Sequence, residues 1–65
     1  MITLNGKEKD YLNITVEELL VKEGYENIRV AIELNGEIIR RNSFGRTLIK
    51  DGDNVEVVSF VGGGW

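Results

Sequence analysis

The residues that could carry chemistry stand at the very end of the chain, where Val61 is followed by Gly62-Gly63-Gly64-Trp65. A run of glycines cannot pack a core or hold a regular strand, because each lacks Cβ and pays a large ordering entropy. At a chain end such a run is expected to form an extended, mobile arm. The plain reading is a frayed tail. The sharper reading is an arm slim enough to thread a narrow site in another protein. The rest of the inventory offers little else. The chain contains no Cys and no His, so it lacks a thiol nucleophile and an imidazole base. Ser43 and Ser59 are its only serines, and neither lies in a recognisable motif. The carboxylates are scattered among lysines and arginines, as on a solvated surface. The expectation is therefore not an enzyme but a substrate or carrier of chemistry done elsewhere.

Composition narrows the class further. Sixty-five residues make one small domain. A chain of this size buries only about 60% of its unfolded surface, and this one has no disulfide or His/Cys metal site to staple it. No metal site is expected. Eleven acidic against eight basic residues give a net charge of −3, which disfavours nucleic acid as a partner. The start, Met-Ile-Thr-Leu-Asn-Gly, has neither the basic nor the long apolar segment of a signal peptide. No apolar run approaches a membrane span. A soluble, cytoplasmic protein with no membrane partner is expected.

The elements that would display the arm follow from local patterns. Ile2-Thr3-Leu4 alternates as a half-buried strand, and Asn5-Gly6 marks a type I′ hairpin turn. A charged return strand is predicted from Lys7 to about Leu12, with Tyr11 as its packing residue. Thr15 and Glu18 form a capping box, with Ile14 and Leu19 at the spacing of a hydrophobic staple. Val16, Leu19 and Leu20 share one helical face, and Gly24 ends the helix. So short a helix needs a sheet to lie on. Ile28, Val30, Ile32 and Leu34 alternate with Arg29, Ala31 and Glu33 as the clearest strand. Asn35-Gly36 turns it into Glu37–Arg40. Arg40-Arg41 reads as two solvated charges rather than a phosphate site. Phe44 is the expected buried anchor of a helical turn, and Leu48 and Ile49 are expected to close the core. Gly52 sits in a tight turn before a last strand over residues 54–61.

That last strand has two readings. With Val55 and Val57 facing the core, Val58 and Phe60 face out, and exposed apolar groups beside a mobile arm form a docking surface. A late bulge would instead turn Phe60 back inward. The first and last strands are expected to pair in parallel at the centre, with the helix as crossover. The predicted class is α+β: a β-grasp, ubiquitin-like fold with a mixed four- to five-stranded sheet and one main helix across it. Residues 1–61 would be the domain and 62–65 the arm.

Several stretches resemble a known family. They are Leu4-Asn5-Gly6-Lys7, Val16-Glu17-Glu18-Leu19-Leu20, Leu34-Asn35-Gly36-Glu37-Ile38, Leu48-Ile49-Lys50-Asp51-Gly52-Asp53, Val55-Glu56-Val57-Val58 and Val61-Gly62-Gly63-Gly64. Their order and spacing resemble the small sulfur-carrier proteins of thiamin biosynthesis, the ThiS family, whose wider group includes the molybdopterin carriers (MoaD). The resemblance implies that a ubiquitin-activating-like adenylyltransferase uses ATP and magnesium to adenylate the terminal glycine carboxylate. A sulfur donor enzyme then supplies sulfur, and thiazole synthase consumes the resulting thiocarboxylate. No cofactor would be bound stably by the carrier. On this resemblance Gly64 is the reacting residue and Gly63 is needed for passage. Val58, Phe60, Val61 and Gly62 would meet partners.

Trp65 departs from the pattern, because it places a residue beyond the reacting glycine. The leading expectation is a peptidase that removes Trp65. Two rivals are that Trp65 anchors the tail on a partner or on its own sheet, or that it is an added end. Carriers for molybdopterin or another sulfur metabolite, and a non-catalytic β-grasp interaction module, are the alternative functions.

Overall fold

A computed structural model describes residues 1–60; Val61, Gly62, Gly63, Gly64 and Trp65 lie outside the described residues. The elements are β1 (Ile2–Leu4), β2 (Lys7–Lys9), β3 (Ile14–Thr15), α1 (Val16–Glu23), β4 (Val30–Leu34), β5 (Glu37–Ile39), β6 (Leu48–Ile49) and β7 (Asn54–Ser59). Short 3-10 segments, Asn27–Arg29 and Arg41–Arg46, precede β4 and β6. The main sheet has five strands in the order β2-β1-β7-β4-β5. β1 and β7 pair in parallel, and the other pairings in this sheet are antiparallel. This is the mixed sheet and single main helix of the β-grasp.

Local chemistry accounts for the boundaries of α1. Thr15 accepts the Glu18 amide, and the Glu18 carboxylate accepts the Thr15 amide at 2.8 Å, so two otherwise orphaned donors at the helix start are satisfied. At the other end Gly24 takes φ 82°, and the Tyr25 amide donates to Leu20 O at 2.9 Å while Gly24 donates to Val21 O. That is a Schellman termination, which a residue with Cβ would strain. Both hairpins turn on adjacent positive φ values, 50° and 82° at Asn5-Gly6 and 52° and 87° at Asn35-Gly36, as type I′ geometry requires.

Helix and sheet close one core. Val16, Leu19 and Leu20 from α1 bury against Ile2, Leu4, Ile32, Val55 and Val57 from the sheet. Phe44 and Ile49 seal the side between them, and Tyr11, Ile14 and Tyr25 pack at its margin.

Five expectations need correction. β5 stops at Ile39 rather than Arg40, which leads directly into the 3-10 segment Arg41–Arg46. β2 stops at Lys9, and Tyr11 reaches the core from the loop that follows, where its hydroxyl donates to Glu23 Oε2 at 2.5 Å. Charged Lys7-Glu8-Lys9 suffices as a short edge, so no longer strand is needed. β4 starts at Val30: Ile28 sits in the 3-10 segment Asn27–Arg29, which breaks the alternation, and is 65% exposed. Leu48 is exposed whereas Ile49 is buried, since adjacent strand residues face opposite ways. β7 itself ends at Ser59, within the predicted 54–61.

Candidate functional site

The site is the outlet of β7. This strand lies at the centre of the sheet, and its alternation separates two jobs. Val55 and Val57 point into the core, whereas Val58 and Phe60 point away from it and are 57% and 46% exposed. The outward reading of these two residues therefore holds, and no bulge turns Phe60 back. The Phe60 amide still donates to Arg29 O at 2.7 Å, so the backbone is held in register to the last described residue.

Two hairpin asparagines fix the strand from either side. β1 ends before β7 does, and the Asn5 side chain fills the missing place in the ladder. Its Oδ1 accepts the Val57 amide at 2.7 Å, and its Nδ2 donates to Val57 O at 3.2 Å. On the β4 side, Asn35 Oδ1 accepts the Asn54 amide at 2.8 Å and Nδ2 donates to Asp53 Oδ1 at 3.0 Å. Asp53 in turn accepts the Lys50 amide, which shapes the turn that launches β7. Sequence reading treated both asparagines only as turn formers. Their clamp role depends on contacts across 52 and 19 positions, which no local pattern shows.

Around Val58 the outer face of the sheet is bare, because α1 covers the opposite face. Ala31 lies across from Val58, and Glu33 lies across from both Glu56 and Ile38. Together with the Ile32 backbone position they line a shallow hollow of about 110 Å³. Ile38 is 67% exposed. Its place in this patch could have been read from the Ile38-Ile39 doublet, since only one of two adjacent strand residues can face the core. Glu33 and Glu56 are like charges on directly opposed residues, an arrangement that costs stability. Neither takes part in an ion pair among the described residues. The patch is thus apolar with an acidic margin.

Two other groups have shifted proton affinities and lie away from this outlet. The hydrogen bond to Glu23, helped by desolvation and the carboxylate's charge, holds the Tyr11 phenol above its usual pKa. The N-terminal ammonium, hydrogen-bonded to Asp51, holds that carboxyl below the usual carboxylate range. Among the described residues no three His, Cys, Asp or Glu side chains are grouped to hold a metal ion. No described helix is long and apolar enough to cross a membrane. Of the residues expected to matter, the structure places Val58 and Phe60 on the bare face. Val61, Gly62, Gly63, Gly64 and Trp65 lie beyond the described residues.

Fold and outlet define a ubiquitin-like β-grasp domain whose central last strand is followed in the sequence by three glycines. The particular family follows from comparison with known proteins. The family profile described as "ThiS family" matches residues 2–64, and the chain belongs to that family. A crystal structure of the thiamine biosynthesis protein ThiS from Geobacter metallireducens superposes with a TM-score of 0.78 at 40% identity, covering 97% of each chain. The sulfur carrier protein ThiS of Bacillus subtilis is 38% identical over 66 residues, which is 98% of this chain and 100% of that protein. A thiazole synthase of Paramagnetospirillum magneticum is 39% identical over 64 residues; these are 97% of this chain but span only 20% of the synthase.

Proposed function

We propose that this protein is the sulfur carrier of a thiamin thiazole pathway, with Gly64 as the residue that bears the sulfur once Trp65 is removed. The observation that carries the reading is the end-to-end match to the Bacillus subtilis sulfur carrier, with no segment of that protein left uncovered. The geometry of the outlet supports it. A strand clamped on both edges hands the chain to three glycines, and glycines present the least bulk a peptide can to an enclosed site.

The chemistry balances as a two-step acyl transfer. A carboxylate is a poor electrophile. Attack of the Gly64 carboxylate on the α-phosphate of ATP expels pyrophosphate and gives an acyl-adenylate. Sulfide-level sulfur (hydrosulfide) supplied by a donor enzyme then attacks the acyl carbon. The C–S bond forms as the bond to AMP breaks, and release of AMP and a proton leaves a thiocarboxylate. Magnesium and ATP belong to the adenylyltransferase, not to this chain. Thiazole synthase is the proposed acceptor. In the Paramagnetospirillum relative, a segment similar to nearly the whole of this chain forms part of a thiazole synthase. Val58 and Phe60, with Val61 and Gly62 beyond them, would be the surface on which both enzymes recognise the carrier.

Trp65 has to leave first. The match to the family profile stops at Gly64, which supports reading Trp65 as an addition to the carrier. With Trp65 attached, Gly64 has an amide in place of the carboxylate, and the glycine carbonyl is not open to adenylation.

The test compares the full chain with a chain ending at Gly64. Each is incubated with a ubiquitin-activating-like adenylyltransferase, ATP, magnesium and a sulfur donor, and each is weighed by mass spectrometry. Only the shorter chain should exchange oxygen for sulfur, and protein from the native host should lack Trp65. Thiazole formation supported by chains that all retain Trp65 would refute the proposal.

A further inference from the structure

We propose that Asn5 and Asn35 are sites of spontaneous deamidation, and that loss of either side-chain amide weakens the clamp on one edge of β7. Of the asparagines at positions 5, 13, 27, 35, 42 and 54, only Asn5 and Asn35 precede a glycine. They are also the two whose amides hold β7 and the turn that launches it. The most labile amides of the chain therefore stand where the central strand is fixed. Deamidation is measured on this chain alone, so the sulfur-carrier reading can fail without touching it.

Asparagine is among the chemically labile side chains because it can close a five-membered ring on its own backbone. The nitrogen of the next residue loses its proton and attacks Cγ. As that N–C bond forms, the bond from Cγ to Nδ2 breaks, and Nδ2 takes up a proton and leaves as ammonia. Water then opens the cyclic imide at either carbonyl, a C–O bond forming as a C–N bond breaks. The product is aspartate or, with the main chain rerouted through the side chain, isoaspartate. A side chain on the following residue would shield the attacking nitrogen, and glycine has none. Both turns leave that nitrogen accessible. Asn5, Gly6, Asn35 and Gly36 are exposed, and a Cβ placed on either glycine would meet no atom within 4 Å. The ladders close at Leu4 with Lys7 and at Leu34 with Glu37, which leaves both glycine nitrogens outside them.

The fold slows this reaction and is also damaged by it. Ring closure destroys the planar amide, so each asparagine must first release its partners. For Asn5 these are the Val57 amide and carbonyl; for Asn35 they are the Asn54 amide and the Asp53 carboxylate. Holding two such bonds favours the closed form by a factor of roughly 5–30, and deamidation is slowed by the same factor relative to a free peptide. The products cannot rebuild the clamp. An aspartate can still accept the strand amide, but a carboxylate has no donor. At position 5 it faces the Val57 carbonyl to which Nδ2 donated at 3.2 Å. At position 35 it faces the Asp53 carboxylate, 3.0 Å from where Nδ2 stood, as a like charge. Isoaspartate adds a main-chain carbon to a two-residue turn, so the type I′ geometry is lost and the amide's oxygen is carried away from its strand partner as well.

The test ages the full chain at mildly alkaline pH beside peptides spanning residues 2–9 and 32–39, which carry the same Leu-Asn-Gly sequence. Peptide mapping by mass spectrometry follows each exchange of amide for acid, and ion exchange separates the aged chains by their added negative charge. Loss should concentrate at Asn5 and Asn35, each roughly 5- to 30-fold slower than in its peptide. In the separated isoaspartate forms, hydrogen exchange should find the Val57 amide deprotected after loss at position 5 and the Asn54 amide deprotected after loss at position 35. The Phe60 amide, bonded to Arg29 O, should keep its protection in both. An Asn35→Asp chain, which carries the aspartate product from synthesis, should melt below wild type, with a gap that narrows as salt screens its repulsion from Asp53. A folded rate equal to the peptide rate would overturn the inference, since the amides would then not be held. So would survival of both amides through roughly thirty peptide half-lives. Faster loss at Asn13, Asn27, Asn42 or Asn54, or isoaspartate forms with full Val57 and Asn54 protection, would do the same.

Discussion

Asn5 offers the sharpest test of how the outlet is held. Its amide accepts the Val57 N–H at 2.7 Å and donates to the Val57 carbonyl at 3.2 Å, replacing a strand residue that β1 does not provide. Asn5 also sits at φ 50° in a type I′ turn. Two substitutions separate these roles. Asn5→Gly keeps the positive φ and removes only the amide. Two neutral hydrogen bonds at the edge of the core are together worth about 1–2 kcal/mol. Asn5→Ala loses the same bonds and adds left-handed strain of roughly 1–2 kcal/mol. A domain of 65 residues has about 3–10 kcal/mol of stability in all, so the glycine variant gives up a sizeable share. In a domain this small each kcal/mol moves the midpoint by about 4–8 °C. Thermal unfolding should therefore fall by about 4–16 °C for Asn5→Gly, and further for Asn5→Ala. Hydrogen exchange locates the effect: the Val57 amide should lose protection while the Phe60 amide, bonded to Arg29, keeps it. An Asn5→Gly variant that melts with wild type and retains Val57 protection would refute the clamp.

Three further outcomes follow from the same coordinates. Ile32→Ala empties a fully buried position at the centre of β4 and should cost about 2–5 kcal/mol, which denaturant titration would register as a chain near or past its folding limit. The Tyr11 phenol is held above its usual pKa of 10.0, so its contribution is present below that value and is lost as pH rises through the raised one; alkaline melts should show this loss in wild type and not in Tyr11→Phe. The Asp51 carboxyl is held below 3.8, so its contribution is present above that value and is lost as pH falls through the lowered one; an N-terminal extension that moves the ammonium away should abolish this acid-side dependence in melts.

The parts of the fold that were legible in the sequence are those settled by neighbours in the chain. The Thr15–Glu18 box, the Gly24 stop and both Asn-Gly turns each depend on a few consecutive residues, and each appears where its residues predict it. The parallel pairing of β1 with β7 was legible for another reason: a parallel pair needs a crossover connection, and α1 can provide it. What stayed hidden was non-local. β3 and β6 are two residues each and pair only with each other, so neither carries a periodic signal. Ile28 matched the period of β4, but a matching period cannot show that a 3-10 segment stands in place of the strand there. The candidate site divides in the same way. The alternation of β7 put Val58 and Phe60 on the outer face, while Asn5, Asn35, Ala31 and Ile38 joined the outlet only through the sheet.

That division has a consequence for how the outlet can change. The residues that hold β7 in place are its inward valines, its backbone and two distant asparagines. The residues on the outer face contribute little to this hold, since Val58 and Phe60 leave about half of their surface in solvent. Substitutions at exposed positions free of caps, clamps and buried partners usually fall within about 0.5 kcal/mol of neutral. The outer face can therefore change without loosening β7. Glu33 and Glu56 carry this further. Opposed like charges are a small standing cost to the free domain, and a single neutral replacement at either position would relieve it. The outer face is then adjustable through side chains the fold does not need, while β7 stays fixed by its inward valines and by Asn5 and Asn35 at its edges.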